Sequence, residues 1–167
     1  MEKSVIKSSR IACNLSIALW SICTLVFVLR LMRYLEIITF NVFLGIDIAP
    51  IEWYPDDPEA QIAQWIELFG YVTTTTILLI LTLKLIISTR KGIKTNRVFT
   101  HSNAKALMYL SAVVFFGTLF SDNLGIIYGS RSACLTSNPF VNSLVILIVA
   151  MLYKMAVSIT DENSLTI

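Results

Sequence analysis

The chain has 167 residues, of which 56% are hydrophobic and 14% charged, with a formal net charge of +2. A typical soluble domain is about a quarter charged, and one this small must still cover most of its surface with polar groups. The composition therefore argues against an ordinary soluble fold and for lipid as the solvent, and so small a net charge excludes a global polyelectrolyte role.

Lys3, Lys7 and Arg10 precede the first apolar run, Ile11 to Leu29, which Arg30 closes. The pattern invites a signal-peptide reading, but the run exceeds the usual h-region of about 7–15 residues and no A-x-A-like site follows. A retained membrane anchor is expected over 11–31. Within it, Asn14, Ala18 and Ser21 share one helical face and read as a packing seam. Cys13 and Cys23, with the distant Cys134, form neither a CxxC pair nor a metal-ligand spacing and read as small hydrophobes.

Residues 34–65 follow as an external loop. Phe40, Val42, Leu44, Ile46 and Ile48 alternate with more polar neighbours, the period of a strand with one covered face. Its unpaired backbone calls for a partner, and the third loop, with Ile126, Ile127 and Tyr128 ahead of Gly129-Ser130 and then Ser132 to Thr136, is the best candidate. A small extracytoplasmic β cap is expected from that pairing. Asp57 then suits an N-cap, Pro58 the first helical position and Glu59 the positive end of the dipole. Ile62, Trp65, Ile66 and Phe69 recur with helical spacing and predict an interfacial helix with an apolar stripe. Trp53, Tyr54, Trp65 and Tyr71 suit an aromatic belt. The acids nearby lack EF-hand spacing and read as a solvated loop, with no metal site expected.

The second span is expected over 66–88. It contains Thr73 to Thr76, whose hydroxyls can bond back to the preceding turn. After a basic loop at 89–102, Thr100 is placed to cap the third span, 103–122. A second external loop, 122–138, leads to the fourth span, 139–158, opened by Asn138-Pro139. The tail TDENSLTI closes the chain. Apolar spans of this length must be helical to satisfy their backbone in lipid. The predicted fold class is an all-α integral membrane protein, a four-transmembrane-helix bundle under a small β cap.

Charge is sorted along this layout. Between Arg33 and Lys84 there is no Lys or Arg, whereas Asp47, Glu52, Asp56, Asp57, Glu59 and Glu67 fall there. Four spans put Lys3, Lys7, Arg10, the six bases from Lys84 to Lys105, and Lys154 on one side, and only Arg30, Arg33 and Arg131 on the other. The bias makes the crowded side cytoplasmic, with both termini there. The stretch around Arg90, Lys91, Lys94, Arg97 and Lys105 is thus first a topological signal, each base near an anionic leaflet gaining about 1 kcal/mol. Its second reading is a docking surface for a cytoplasmic partner. Direct nucleic-acid binding is not expected, because the stretch has a single aromatic and no reading motif. No HExxH, GxSxG or phosphate-binding loop is present, and His101, the lone histidine, reads as an exposed polar residue. No catalytic, cofactor or metal residue is assigned, and an enzyme is not expected. The apolar windows hold no ionisable group away from their ends, which argues against an ion-coupled transporter.

Two segments carry a resemblance. NRVFTHSNAKAL, before the third span, resembles a GxxFTxENxxxL pattern, and DENSLTI resembles a terminal EENDLTI. Together with the four-span layout they resemble the bacterial four-helix membrane proteins of domain-of-unknown-function family 2975. Phe99, Thr100, Asn103, Leu107, Glu162, Asn163, Leu165, Thr166 and Ile167 match. Asn96 stands in place of a usual Gly, His101 and Ser102 depart from the acidic flavour, and Ser164 replaces an Asp. The resemblance implies a bacterial cytoplasmic membrane location and no established activity. It also implies a frequent neighbourhood with genes for small helix-turn-helix regulators.

The resulting expectation is a non-enzymatic membrane protein of regulatory or sensory type. Arg90, Lys91, Lys94, Arg97 and the nine matching residues would meet a cytoplasmic partner such as a transcriptional regulator. The alternative is a small oligomeric transporter, or a membrane-stress or peptide-immunity protein, with homo-oligomers possible in either case. Reporter fusions after Lys94 and at the C-terminus are expected to read cytoplasmic, and one near Asp57 external. An external signal after Lys94 overturns the four-span layout.

Overall fold

Long apolar windows bounded by cap residues give long helices. The structure, a computed structural model, describes every residue except 1, 44, 96–98, 131, 166 and 167. Among the described residues, four helices are long and apolar enough to cross a membrane. They are α1 (Glu2–Tyr34), α2 (Pro58–Thr95), α3 (His101–Asp122) and α4 (Asn138–Leu165). Asp57 caps α2, its Oδ1 accepting from the Ala60 amide at 3.1 Å, and Thr100 caps α3 in the same way, accepting from the Asn103 amide at 3.3 Å. Three boundaries differ from expectation. The predicted interfacial helix and second span are one 38-residue helix. The basic loop is shorter, since α2 continues to Thr95, and the tail is largely helix, since α4 continues to Leu165.

Helix α1 packs on α2, α2 on α3, and α3 most extensively on α4, a row in chain order. The α1–α2 connection, rich in acids, and the α3–α4 connection lie at one end of the helices, called here the acidic end, and the α2–α3 turn lies at the other, basic end. Asn14, Ala18 and Ser21 are exposed and form no seam with α2. Contact with α2 runs instead through larger side chains. The Trp20 indole N–H donates to the Leu79 carbonyl at 2.9 Å, and the Phe27 and Tyr71 rings meet edge to face at 6.1 Å.

The expected β cap is corrected. Residues 39–48 do not form one strand against the third loop. Strand β1 (Val42–Phe43) pairs antiparallel with β2 (Ile46–Asp47), Val42 opposite Asp47 and Phe43 opposite Ile46. Gly45, at φ 77°, supplies the left-handed backbone that lets the segment reverse on itself. The third loop holds a 3₁₀ turn, Leu124–Ile126. The two loops still meet, through the Glu52 amide donating to the Ile127 carbonyl at 3.0 Å and through Ile51, which packs against the cluster that holds the fully buried Ile127.

The apolar stripe expected on α2 is present and lies on its outer face. Ile62, Trp65, Ile66 and Phe69 are exposed, whereas Gln64, Glu67 and Tyr71 are buried. The helix turns its polar face inward and its apolar face outward. The threonines behave as expected: Thr74 and Thr76 donate to the carbonyls of Gly70 (2.6 Å) and Val72 (2.7 Å).

Close approach of α2 and α3 depends on Gly70, where an added Cβ would lie 2.3 Å from the Phe120 ring. Gly70→Ala should therefore destabilise by about 1–3 kcal/mol, the usual cost of overpacking. The pair Gly70→Ala with Phe120→Leu should recover much of it. Thermal unfolding in detergent reads both, and equal stability of Gly70→Ala and the native chain would contradict the packing described.

Candidate functional site

At the basic end, the last turns of α2 carry Arg90, Lys91 and Lys94, all exposed. Lys91 lies with Lys84 along a shallow apolar groove floored by Ile80, Leu83 and Ile87, so the stems of both lysines can lie on apolar surface with their charged heads free. Arg97 lies outside the described residues.

Beyond the turn, the segment that starts α3 is fastened to α4. The Phe99 ring packs 5.2 Å from that of Tyr153. Asn103, only 4% exposed, donates from Nδ2 to the Tyr153 hydroxyl at 3.2 Å. One turn outward, His101 Nε2 lies 3.0 Å from Asp161 Oδ2 on the exposed surface. The structure thus brings together Phe99, Thr100 and Asn103 of the expected site, with Leu107 half-buried in the next turn and Glu162 exposed near the end of α4. The side chains of Asn163 and Leu165, and Thr166 and Ile167 entirely, lie outside the described residues. Sequence reasoning missed Tyr153 and the His101–Asp161 pair. The signal for Tyr153 was its place beside Lys154, where the last apolar window closes.

A second constellation, absent from the expected site, lies at the acidic end. Gln64 is fully buried and ties two loops to α2. Its Nε2 donates to the carbonyls of Glu52 (2.5 Å) and Ile126 (3.3 Å), and its Oε1 accepts from the Tyr54 amide at 3.3 Å. The Tyr54 hydroxyl donates to the Gly129 carbonyl, and the Tyr34 and Tyr128 hydroxyls lie 2.8 Å apart. Arg30 donates from Nη1 to the Tyr71 hydroxyl at 2.8 Å, with its guanidinium carbon 5.8 Å from the centre of that ring. Glu67, read from sequence as part of a solvated loop, is corrected: it is 6% exposed. Its Oε1 and Arg30 Nε are buried without a hydrogen-bond partner among the described residues. A charge held so is costly, and such groups in apolar helices mark functional positions by default. The clue in the sequence was the spacing of Gln64, Glu67 and Tyr71 on one face.

Beside Gln64 a cleft of about 320 Å³, lined among others by Tyr54, Asp57, Ile126 and Ser130, opens at the acidic end. That volume is at the lower edge of small-ligand sites. No group of three His, Cys, Asp or Glu able to hold a metal occurs among the described residues. Comparison with known proteins finds no matching family model, no matching curated protein and no matching solved structure.

The two contacts that fasten the basic end differ in burial, and so should their worth. Tyr153→Phe leaves the Asn103 amide buried without that acceptor and should cost about 1–3 kcal/mol. His101→Ala removes an exposed pair and should cost at most about 1 kcal/mol. Thermal unfolding of the two variants in one detergent ranks them, and the reverse order would refute the fastening role given to Asn103 and Tyr153.

Proposed function

We propose that the chain is a non-enzymatic integral membrane protein of regulatory or sensory type, resident in a bacterial cytoplasmic membrane with both termini inside. In this reading the basic end docks a cytoplasmic partner such as a small helix-turn-helix regulator, and the cleft at the acidic end receives the external signal. The observation that carries it is the pairing, at one end, of exposed bases on α2 with a surface made fixed by Phe99, Asn103 and Tyr153. A docking surface binds more tightly when it is ordered beforehand, and complementary charge speeds encounter. The resemblance to family 2975 supports the same reading.

A second reading, a small oligomeric transporter, draws on the row of helices. Helices α1 and α4 each have one principal helix neighbour among the described residues, which leaves apolar faces available to further copies. Arg30 and Glu67 are then the groups to place along a pathway.

Site-specific photo-crosslinking in cells tests the first reading. A photoreactive residue at Lys91 or Glu162 should yield an adduct of one discrete regulator-sized mass, and one at Glu59 should not. Three exposed bases at about 0.5 kcal/mol each amount to about a tenfold loss of binding, so Arg90→Gln, Lys91→Gln and Lys94→Gln together should lower adduct yield by that factor. Deleting residues 164–167 should lower it more than Asp161→Asn with Glu162→Gln. Adducts only with further copies of this chain would favour the oligomeric reading.

A further inference from the structure

The antiparallel register of α1 and α2 brings like charges together. Trp20 meets Leu79, and Arg30 meets Tyr71. Carried ten residues from Trp20 toward the basic end, about 15 Å along each axis, the same register sets Arg10 beside Arg90. There a cavity of about 240 Å³ opens between the helices, lined by Arg10, Cys13, Asn14, Arg90, Ile93 and Lys94. Among the described residues its lining holds three cations from two helices and no acid. A bound anion would relieve the mutual repulsion of such a trio. Arg10 adjoins the apolar window that begins at Ile11, so the cavity lies where that window gives way to polar sequence. Its chemistry divides in the same sense, with guanidinium and ammonium groups beside Cys13, Ile93 and the Asn14 amide.

We infer that this cavity binds the phosphodiester headgroup of an anionic phospholipid. Arg10 and Arg90 grip the phosphate oxygens, guanidinium geometry being suited to bidentate contact. Lys94 adds a point charge, and the acyl chains run along the outward apolar faces of α1 and α2. Basic pockets between helices at the cytoplasmic membrane edge suit such headgroups. The inference rests on the membrane reading proposed above. It shares Arg90 and Lys94 with the docking end, but it needs no protein partner.

The test uses the purified full chain alone, in nanodiscs of phosphatidylcholine doped with phosphatidylglycerol, with native mass spectrometry of retained lipid. The native chain should retain phosphatidylglycerol about tenfold over phosphatidylcholine. Arg10→Gln with Arg90→Gln should bring the ratio near parity, whereas Arg10→Lys with Arg90→Lys should keep most of it, and Lys105→Gln on α3 should leave it unchanged. Should the double glutamine variant fail to fold, Arg90→Gln alone should still lower the ratio. No preference in the native chain, or an undiminished preference in the glutamine variants, overturns the inference. Displacement of the lipid by millimolar inorganic phosphate reassigns the cavity to free phosphate and overturns it equally. Because the readout requires neither membrane orientation nor a regulator, failure of the topology or crosslinking experiments leaves a distinct record.

Discussion

The register of α1 against α2 is the constraint on which the other features depend. A helix carbonyl already engaged in its own ladder keeps a second lone pair, and the Trp20 indole takes that of Leu79. The Arg30–Tyr71 bond makes a second anchor toward the acidic end. Two anchors on one helix pair suppress both sliding and rotation. With lipid as the surrounding solvent, as proposed, apolar contact between helices gains nothing over apolar contact with acyl chains. Directional bonds of this kind then decide which faces meet.

The two ends are held by different means. At the acidic end, side chains hold backbone: Gln64 spans two loops, and Asn123 accepts from the Cys134 amide (2.7 Å) while donating to its carbonyl (3.0 Å). Loops held by amide side chains keep a defined path without regular pairing, which is why a hairpin of two-residue strands suffices there. At the basic end, helix holds helix, through Asn103 and Tyr153 inside and His101 and Asp161 outside.

Much of the helical layout was legible because apolar windows and cap residues act locally. Asp57, Thr100 and Asn138-Pro139 marked helix starts within one residue of where they fall. Helix ends were less legible: polar residues at 89–95 and 159–165 continue a helix as readily as they leave it, and nothing local stops them. On α2 the apolar stripe was legible from its helical spacing, but the buried polar face opposite it was not. Ile62, Ile66 and Phe69 point outward because the polar groups that must be satisfied lie within. The self-pairing of 42–47 turned on Gly45, which breaks an alternation that otherwise suits a longer strand. The polar cluster around Gln64 and Tyr71 stayed hidden because its partners come from residues far apart in sequence, and helix register, the relation that joins them, has no local signature.

Helix α2 runs unbroken for 38 residues, about 57 Å, against a hydrocarbon thickness of about 30 Å. A beam of that length converts angle into travel. Tilting it by about 5° around its midpoint carries each tip through about 2.5 Å, close to the radius of the helix backbone itself. Gln64 sits near one tip and Lys94 near the other, so a loop that shifts its grip on Gln64 moves the basic tip as well, in the opposite direction, with no intervening hinge needed. That midpoint falls between Thr76 and Ile77, about 10 Å along the axis from Gly70, where α2 and α3 have least room to part.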